Sequence, residues 1–192
     1  MNPLESQIKA LVEFLSSQKI KYVILGGIAV SIYGEPRFTA DVDVNIILDK
    51  TGIDKFLELS KKSGFFPLFP NTKKIAKESG VIPMKHMKGK VEGRCDVIIA
   101  ENALEYAAIK RGRLRKIGSV MARLVTPEDL IIHKITSFRP RDAEDLKGIL
   151  IRQKGKLDIG YISEWLTKID KAAKKSRSLS KLFDRLVDSY YK

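Results

Sequence analysis

The segment 22–48 constrains the fold of this chain more than any other. Four consecutive apolar residues (YVIL, 22–25) predict a short buried strand, and a Gly-Gly pair ends it. Residues 28–33 then predict a brief helix, and residues 41–48 (DVDVNIIL) predict a second strand. Strand, glycine turn, helix and strand in this order predict an α/β arrangement.

The remainder of the chain extends this core and then changes character. Strands are expected near 65–69, 81–87 and 91–100 and in a hairpin of 113–117 with 120–125, and helices near the N-terminus and at 51–62 and 102–110. From residue 126 onward only helices are expected, at 127–138, 140–153, 161–170 and 178–190. We therefore predict a small mixed-sheet α/β core over residues 1–125, with a helical C-terminal region over residues 126–192 packed on it.

The charge of the chain is strongly positive and unevenly distributed. Thirty-six Lys and Arg oppose 23 Asp and Glu, a formal net charge of +13, and residues 110–125 hold six basic and no acidic residues. Basic segments around a more acidic centre suit a protein that handles polyanions such as RNA. A lysine-rich solvated surface of the kind found in thermophiles is the alternative, and the composition leaves both open.

Several classes of protein are excluded by composition. The single cysteine, Cys95, permits neither an intrachain disulfide nor a CxxC motif. No apolar run approaches the roughly 20 residues of a membrane-spanning helix, and the N-terminus lacks the features of a secretory signal. We expect a cytoplasmic protein with no membrane partner.

Two carboxylates on the second strand are the first candidate site. Asp41 and Asp43 are two residues apart, so both side chains leave the same face of a strand. Like charges side by side repel, and Mg²⁺, which carboxylates and phosphate oxygens hold together, relieves that repulsion. Asp96 interrupts another apolar strand and would complete a three-carboxylate cluster if the two strands are neighbours. A strand end in contact with solvent is the alternative for the pair.

The Gly-Gly pair before these carboxylates is the second candidate. Gly26 and Gly27 end a strand where a helix begins, so a phosphate could approach the free backbone N–H groups. A plain strand-to-helix turn is the alternative. Taken together, the glycines and the Asp-x-Asp strand predict a phosphate cradle and a metal pair at one edge of a sheet.

These motifs resemble the nucleotidyltransferase superfamily, which has the polymerase-beta-like fold. Its signature of an apolar residue, two glycines, a spacer and Asp-apolar-Asp reads here as LGG at 25–27, thirteen residues, and DVDV at 41–44. The strings GGIAVSIYGEPRFTADVDV and LVTPEDLIIHKITSFRPRDAEDLKGIL look like the branch that contains the AbiEii-type abortive-infection toxins. The resemblance implies that Gly27 contacts a triphosphate, that Asp41 and Asp43 hold metal ions, and that Asp96 helps to deprotonate the acceptor hydroxyl.

Lys134 and Asp142 lie in the second of these strings. Lys134 falls inside the apolar stripe of its predicted helix, where a lysine must be paired or must reach a pocket. We expect it to offset triphosphate charge; a stem that brings the ammonium to solvent is the alternative. Asp142 is expected to bind Lys134 or the site, or else to satisfy its helix dipole. Arg37 and Thr39, in the loop before the carboxylates, are the remaining nucleotide-binding candidates.

The sequence thus predicts a nucleotidyltransferase that uses Mg²⁺ or Mn²⁺. It would move a nucleoside monophosphate from an NTP to an acceptor hydroxyl and release pyrophosphate. RNA, and tRNA within that class, is the expected acceptor, and the resemblance adds a cognate antitoxin as a partner. A small-molecule hydroxyl as acceptor, or an RNA-binding module without catalysis, remain alternatives.

Overall fold

Seven strands form one mixed sheet in the computed structural model, which describes residues 2–89, 91–173 and 178–191. Their order across the sheet is β3-β4-β5-β2-β1-β7-β6. Only the β1–β7 and β2–β5 pairs of this described sheet are parallel. The strands are β1 (Tyr22–Leu25), β2 (Asp41–Ile46), β3 (Phe65–Pro67), β4 (Val81–Lys88), β5 (Val91–Ile99), β6 (Arg113–Ile117) and β7 (Val120–Leu124).

Contacts divide the chain into two compact units. The sheet unit holds the residues up to 28 and residues 38–125, and the helical unit holds 29–37 and the residues from 126 onward. The boundary after residue 125 coincides with the change of pattern in the sequence. The segment 29–37, which the sequence pattern groups with the core, is counted with the helices.

Helix α1 (Pro3–Ser17) shows why the sheet unit folds as it does. The Asn2 side chain accepts a hydrogen bond from the Glu5 N–H at 2.8 Å and so caps the helix. Ile8, Leu11 and Leu15 are at most 1% exposed, on the stripe that packs against β5 and β7. The other helices of this unit are α3 (Ile53–Ser60), α4 (Thr72–Ser79) and α5 (Ala103–Arg111), and α2 (Gly26–Tyr33) begins in it.

The helical unit is built from α6 (Pro127–Ser137), α7 (Asp142–Arg152), α8 (Ile159–Ala173) and α9 (Leu179–Tyr190). Helix α6 contacts the other three, and its N-terminus is capped by the Thr126 hydroxyl, which accepts the Asp129 N–H at 3.2 Å. Ile135, Leu146, Ile162 and Phe183 are fully buried in its core. The mixed-sheet α/β class with helices toward the C-terminus, expected from the sequence, is confirmed.

Apart from shifts of one to three residues at element ends, the structure differs from the predicted elements in three places. Helix α4 was not anticipated, because its sequence TKKIAKES buries only Thr72 and Ala76 and so shows no apolar stripe. The predicted helix 51–62 is α3 flanked by two turns of 3₁₀ helix. Helix α2 begins at Gly26, two residues earlier than predicted, so both glycines belong to its first turn. No described helix is long and apolar enough to span a membrane.

Asp170, near the end of α8, organises the start of α9. Its carboxylate accepts hydrogen bonds from the Leu179 and Ser180 N–H groups at 2.8 and 3.0 Å and from the hydroxyls of Ser178 and Ser180. Partial burial raises the pKa of Asp170, but these hydrogen bonds outweigh it and lower the pKa to about 2.

We therefore expect Asp170 to titrate near pH 2, which carbon-detected NMR of the carboxyl group measures. Because the folded pKa is depressed, the carboxylate stabilises the protein above the unfolded pKa of about 3.9 and ceases to do so as pH falls through about 2. Asp170→Asn should lower the free energy of unfolding at pH 7 by about 1 kcal/mol, as loss of a helix cap does. Asp184→Asn, an exposed change on α9, is the control, and titration of Asp170 near about 3.9 would contradict the assignment.

Candidate active site

The carboxylates of β2 lie on one face of the sheet because side chains alternate along a strand. Asp41 is exposed and Asp43 partly exposed, whereas Val42 and Val44 between and after them are completely buried on the opposite face. The alternation of the sequence DVDV therefore separates charge from core within one short strand.

Strand β5 brings the third carboxylate to the same face. In the parallel β2–β5 ladder, Asp43 is paired with Asp96 and Asp41 with Arg94. Paired residues on neighbouring strands point to the same side, so three carboxylates and one guanidinium share a face. Cys95, between Arg94 and Asp96, is completely buried on the other side.

Arg94 places a cation beside these carboxylates, and sequence reasoning missed it. Its Nη2 and Nε atoms donate to the two oxygens of Asp96 at 3.0 and 3.3 Å. The hydrogen bonds and charge of Asp96 raise the pKa of Arg94, and the charges of Asp41 and Asp43 raise it further. The arginine side chain is half exposed, so the pair contributes little to stability, but it offsets the mutual repulsion of the carboxylates. Its position two residues before Asp96 was the available signal, since that spacing fixes a common face.

Gly26 is in direct contact with Asp43. Its φ of +66° is a left-handed conformation that favours glycine, and a Cβ at this position would overlap Oδ2 of Asp43. The glycine therefore makes room for the carboxylate at the point where β1 ends and α2 begins. Gly27 follows in the first turn of α2. The Thr39 hydroxyl donates to the carbonyl of Asp41 at 3.3 Å.

Lys134 is brought together with carboxylates in the helical unit. Its Nζ lies 2.8 Å from Oδ1 of Asp142 and 2.6 Å from Oδ2 of Asp145, and all three side chains are more than 90% buried. Arg37 also pairs with Asp145, Nε to Oδ1 at 3.1 Å. The expected link between Asp142 and Lys134 is present. Asp145 was not among the predicted site residues, although its spacing of three from Asp142 places both on one helix face.

Asp142 has further partners that favour its charged form. Its Oδ2 accepts the Ser137 hydroxyl and the Arg139 N–H, each at 2.8 Å. Burial raises the pKa of Asp142, but the hydrogen bonds from Lys134, Arg139 and Ser137 outweigh it, and the pKa is lowered. In this cluster two acidic and two basic side chains balance one another. Roles of Lys134, Arg37, Thr39 and Asp142 in nucleotide binding stay predictions.

The donor chemistry of the sheet unit suits a hard divalent cation. Mg²⁺ is usually held by one or two carboxylates, with its other positions left to water and phosphate oxygens, and Asp41 and Asp43 provide such a pair on one face. As the side chains stand, with Arg94 on Asp96, no group of three or more His, Cys, Asp or Glu in the described residues is arranged to hold a metal ion. Two carboxylates on one face thus fit the ion, whereas both oxygens of Asp96 accept hydrogen bonds from Arg94.

One family of known proteins matches the second half of this chain. The model of a family described as "Nucleotidyl transferase of unknown function (DUF2204)" matches residues 91–184, which begins at β5 and includes Asp96 and Lys134. The segment with Gly26 and Asp43 lies outside that match. No similar sequence is found among curated proteins.

Three solved structures are similar to this chain at low sequence identity, and one of them has a TM-score above 0.5. JHP933 from Helicobacter pylori is 18% identical, with a TM-score of 0.52, over 97% of this chain and 76% of its own. An antigenic nucleotidyltransferase-like protein from Paracoccidioides brasiliensis is 18% identical, with a TM-score of 0.46, over 92% and 91%. The antibiotic-resistance factor ANT(2'')-Ia is 12% identical, with a TM-score of 0.48, over 99% and 95%.

The family match supports the nucleotidyltransferase superfamily, and with it nucleotidyl transfer in general as the class of activity. The likeness to JHP933 shows the fold alone. The finer resemblance, to AbiEii-type toxins, is not confirmed by these matches.

Gly26→Ala tests the contact between glycine and carboxylate. Gly155 has a similar φ of +74°, and a Cβ added there would meet no atom within 4 Å, so Gly155→Ala reports the backbone strain alone, about 1–2 kcal/mol. Gly26→Ala should lower the free energy of unfolding by more and shift the NMR signal of the Asp43 carboxyl carbon, because that side chain must move. If both substitutions lower the free energy of unfolding equally and the NMR signal of the Asp43 carboxyl carbon does not move, the contact is contradicted.

Lys134→Met tests the buried cluster. We expect the free energy of unfolding in urea, followed by circular dichroism, to fall by about 3–5 kcal/mol, because buried carboxylates lose their shared cation. Lys168→Met is the matched control: Lys168 pairs with Glu164 at 2.6 Å, but both side chains are at least 60% exposed. The control should change stability by less than about 1 kcal/mol. A Lys134 variant as stable as the control would show that the ammonium does not neutralise the pair.

Proposed function

We propose that this chain is an NTP-dependent nucleotidyltransferase whose acceptor is RNA. The observation that carries the proposal is the register of β1, β2 and β5, which sets Gly26 against Asp43 and Asp43 opposite Asp96. A phosphate site with a divalent cation accounts for a glycine turn and three carboxylates brought together by neighbouring strands.

The proposed reaction transfers a nucleoside monophosphate. A bond forms between the acceptor oxygen and the α-phosphorus, the bond from that phosphorus to the pyrophosphate oxygen breaks, and Asp96 takes the hydroxyl proton. Asp41 and Asp43 would hold Mg²⁺ or Mn²⁺, which would offset the charge that develops on the phosphates. Gly26 gives the Asp43 carboxylate its place, and the backbone N–H groups of Gly26 and Gly27 at the start of α2 would bind the phosphates.

Other residues join the proposal through their position in the sequence and through the resemblance. Arg37 and Thr39 are proposed as nucleotide-binding residues because they precede the carboxylate strand, and Lys134 and Asp142 because of the resemblance. A toxin role, a cognate antitoxin and a cytoplasmic location are proposed on the resemblance and the sequence composition alone.

RNA is the acceptor that the charge distribution supports. The net charge is +13, and residues 110–125, with six basic and no acidic residues, provide salt-dependent attraction to a phosphate backbone. An RNA-binding module without catalysis is the second candidate, and one observation favours it: Arg94 already neutralises Asp96.

Asp43→Asn tests the reaction. The protein is incubated with Mg²⁺, total RNA and each α-labelled NTP in turn, and label in RNA is counted. We expect transfer by the wild type and none above background with Asp43→Asn, since that amide cannot replace a charged ligand. Asp184→Asn, with the same chemical change on an exposed helix face, should transfer normally.

The other outcomes are equally informative. Transfer by Asp43→Asn would overturn the assignment of the carboxylates. Pyrophosphate release without label in RNA would indicate a small-molecule acceptor or hydrolysis. A rate that barely responds to salt between roughly 50 and 200 mM would also indicate a small acceptor, because RNA binding weakens steeply over that range. RNA binding without any turnover would favour the non-catalytic module.

A further inference from the structure

A cavity of about 690 Å³ lies in the sheet unit, at the opposite end of β1 from Gly26. It is bordered by Tyr22, the first residue of β1, by Ile47 just beyond β2, and by α5. Its volume is in the range of ligand-binding pockets, roughly 300–1,000 Å³. The carboxylate site has no part in it.

Four cations line this cavity. Lys19, Lys21, Lys110 and Arg123 are among its nine described lining residues, and no Asp or Glu is. Arg123 is held in place, because its Nη2 donates to the carbonyl of Gly112 at 2.6 Å. A cavity with this charge attracts an anion.

The rest of the lining is apolar and aromatic. Ile20, Ile47 and Ile109 form an apolar wall, and the ring of Tyr106 is 45% exposed at the cavity. An exposed aromatic ring beside cations is the arrangement on which nucleic-acid bases stack while their phosphates meet Lys and Arg.

Beyond the cavity, the outer face of β6 and β7 also combines cations with exposed apolar side chains. Arg123 is paired with Leu114 on β6, and the next residues on that face, Lys116 and Met121, are also paired. Leu114 and Met121 are 57% and 53% exposed. Alternating cations and exposed apolar side chains over this length suit a flexible polymer better than a single small molecule.

We infer that this cavity and the adjoining face of β6 and β7 bind a single-stranded RNA segment, with Tyr106 as its stacking platform. The inference rests on the proposed function in that RNA is the acceptor, and it deepens that function by assigning an RNA-anchoring site separate from the carboxylates. The cations contact phosphates, and the Tyr106 ring contacts a base.

The test measures binding of a fluorescent 12-nucleotide oligouridylate to the full chain, with EDTA present and no NTP. A triple variant with Lys19→Gln, Lys21→Gln and Lys110→Gln should lower the slope of log affinity against log salt by about 2, because each phosphate contact to a single strand contributes about 0.7. Lys55→Gln, Lys61→Gln and Lys62→Gln together remove the same charge from exposed positions outside the cavity and should leave the slope unchanged. Equal effects of the two triple variants would overturn the inference.

Tyr106 provides the independent readout. Tyr106→Leu should weaken binding roughly tenfold, and Tyr106→Phe should bind like the wild type, since a ring without the hydroxyl still stacks. Unchanged binding by Tyr106→Leu would overturn the stacking role. Displacement of the RNA by polyglutamate as effectively as by unlabelled RNA would overturn the inference in favour of an acidic polypeptide site.

The outcome of these binding measurements does not depend on whether the proposed reaction takes place. Binding is read without metal or NTP, and Asp43→Asn, which removes the proposed chemistry, should bind the oligonucleotide as the wild type does. Loss of transfer with intact cavity binding would overturn the reaction alone, and transfer with no effect of the cavity variants on binding would overturn the anchoring site alone.

Discussion

The contact between Gly26 and the Asp43 carboxylate depends on the register of β2 with its neighbouring strands. The packing of the sheet unit depends on the same register. Strand β2 lies between β1 and β5, so the pairing of Leu25 with Asp43 and of Asp43 with Asp96 is fixed by three strands at once. A slip of one residue would exchange the two faces of β2. Val42 would meet solvent and the carboxylates would enter the core, so the packing of the core enforces the geometry of the site.

The two units balance their charges in physically different ways. Arg94 and Asp96 are partly exposed, so solvent screens the pair and its separation costs little free energy. The cluster of the helical unit is buried and consists of Lys134, Asp142 and Asp145. Removal of one partner leaves an uncompensated charge in the protein interior, where water cannot solvate it. The sheet unit therefore carries a cluster whose cation can be exchanged, as the proposed metal-dependent reaction would require, whereas the cluster of the helical unit is suited to hold its helices in a fixed arrangement.

Local patterns made the elements predictable, and long-range pairing limited what the sequence could say of the site. The apolar run 22–25 and the alternation of DVDV were sufficient to predict β1, β2 and the common face of Asp41 and Asp43. That β5 lies beside β2 is a contact between distant residues, so the place of Asp96 in the cluster was conditional. Arg94 was overlooked although its spacing of two residues from Asp96 puts both on one face. Lys134 was conspicuous in an apolar stripe and its link to Asp142 was expected, but Asp145, three residues further on the same helix face, was overlooked as the second partner. Helix α4 was missed because it buries too little to leave a periodic signal.

Separate sites for anchoring and chemistry would divide the recognition of RNA between the two ends of β1. The four residues of β1 span about 13 Å, so a strand held at the cavity would not compete with a nucleotide beside Asp43. Lysines and a stacking ring favour single strands but do not distinguish one sequence from another, because phosphates and base faces are common to all. Affinity for RNA would then come from the cavity, and the choice of acceptor hydroxyl would depend on the geometry around Gly26, Asp43 and Asp96.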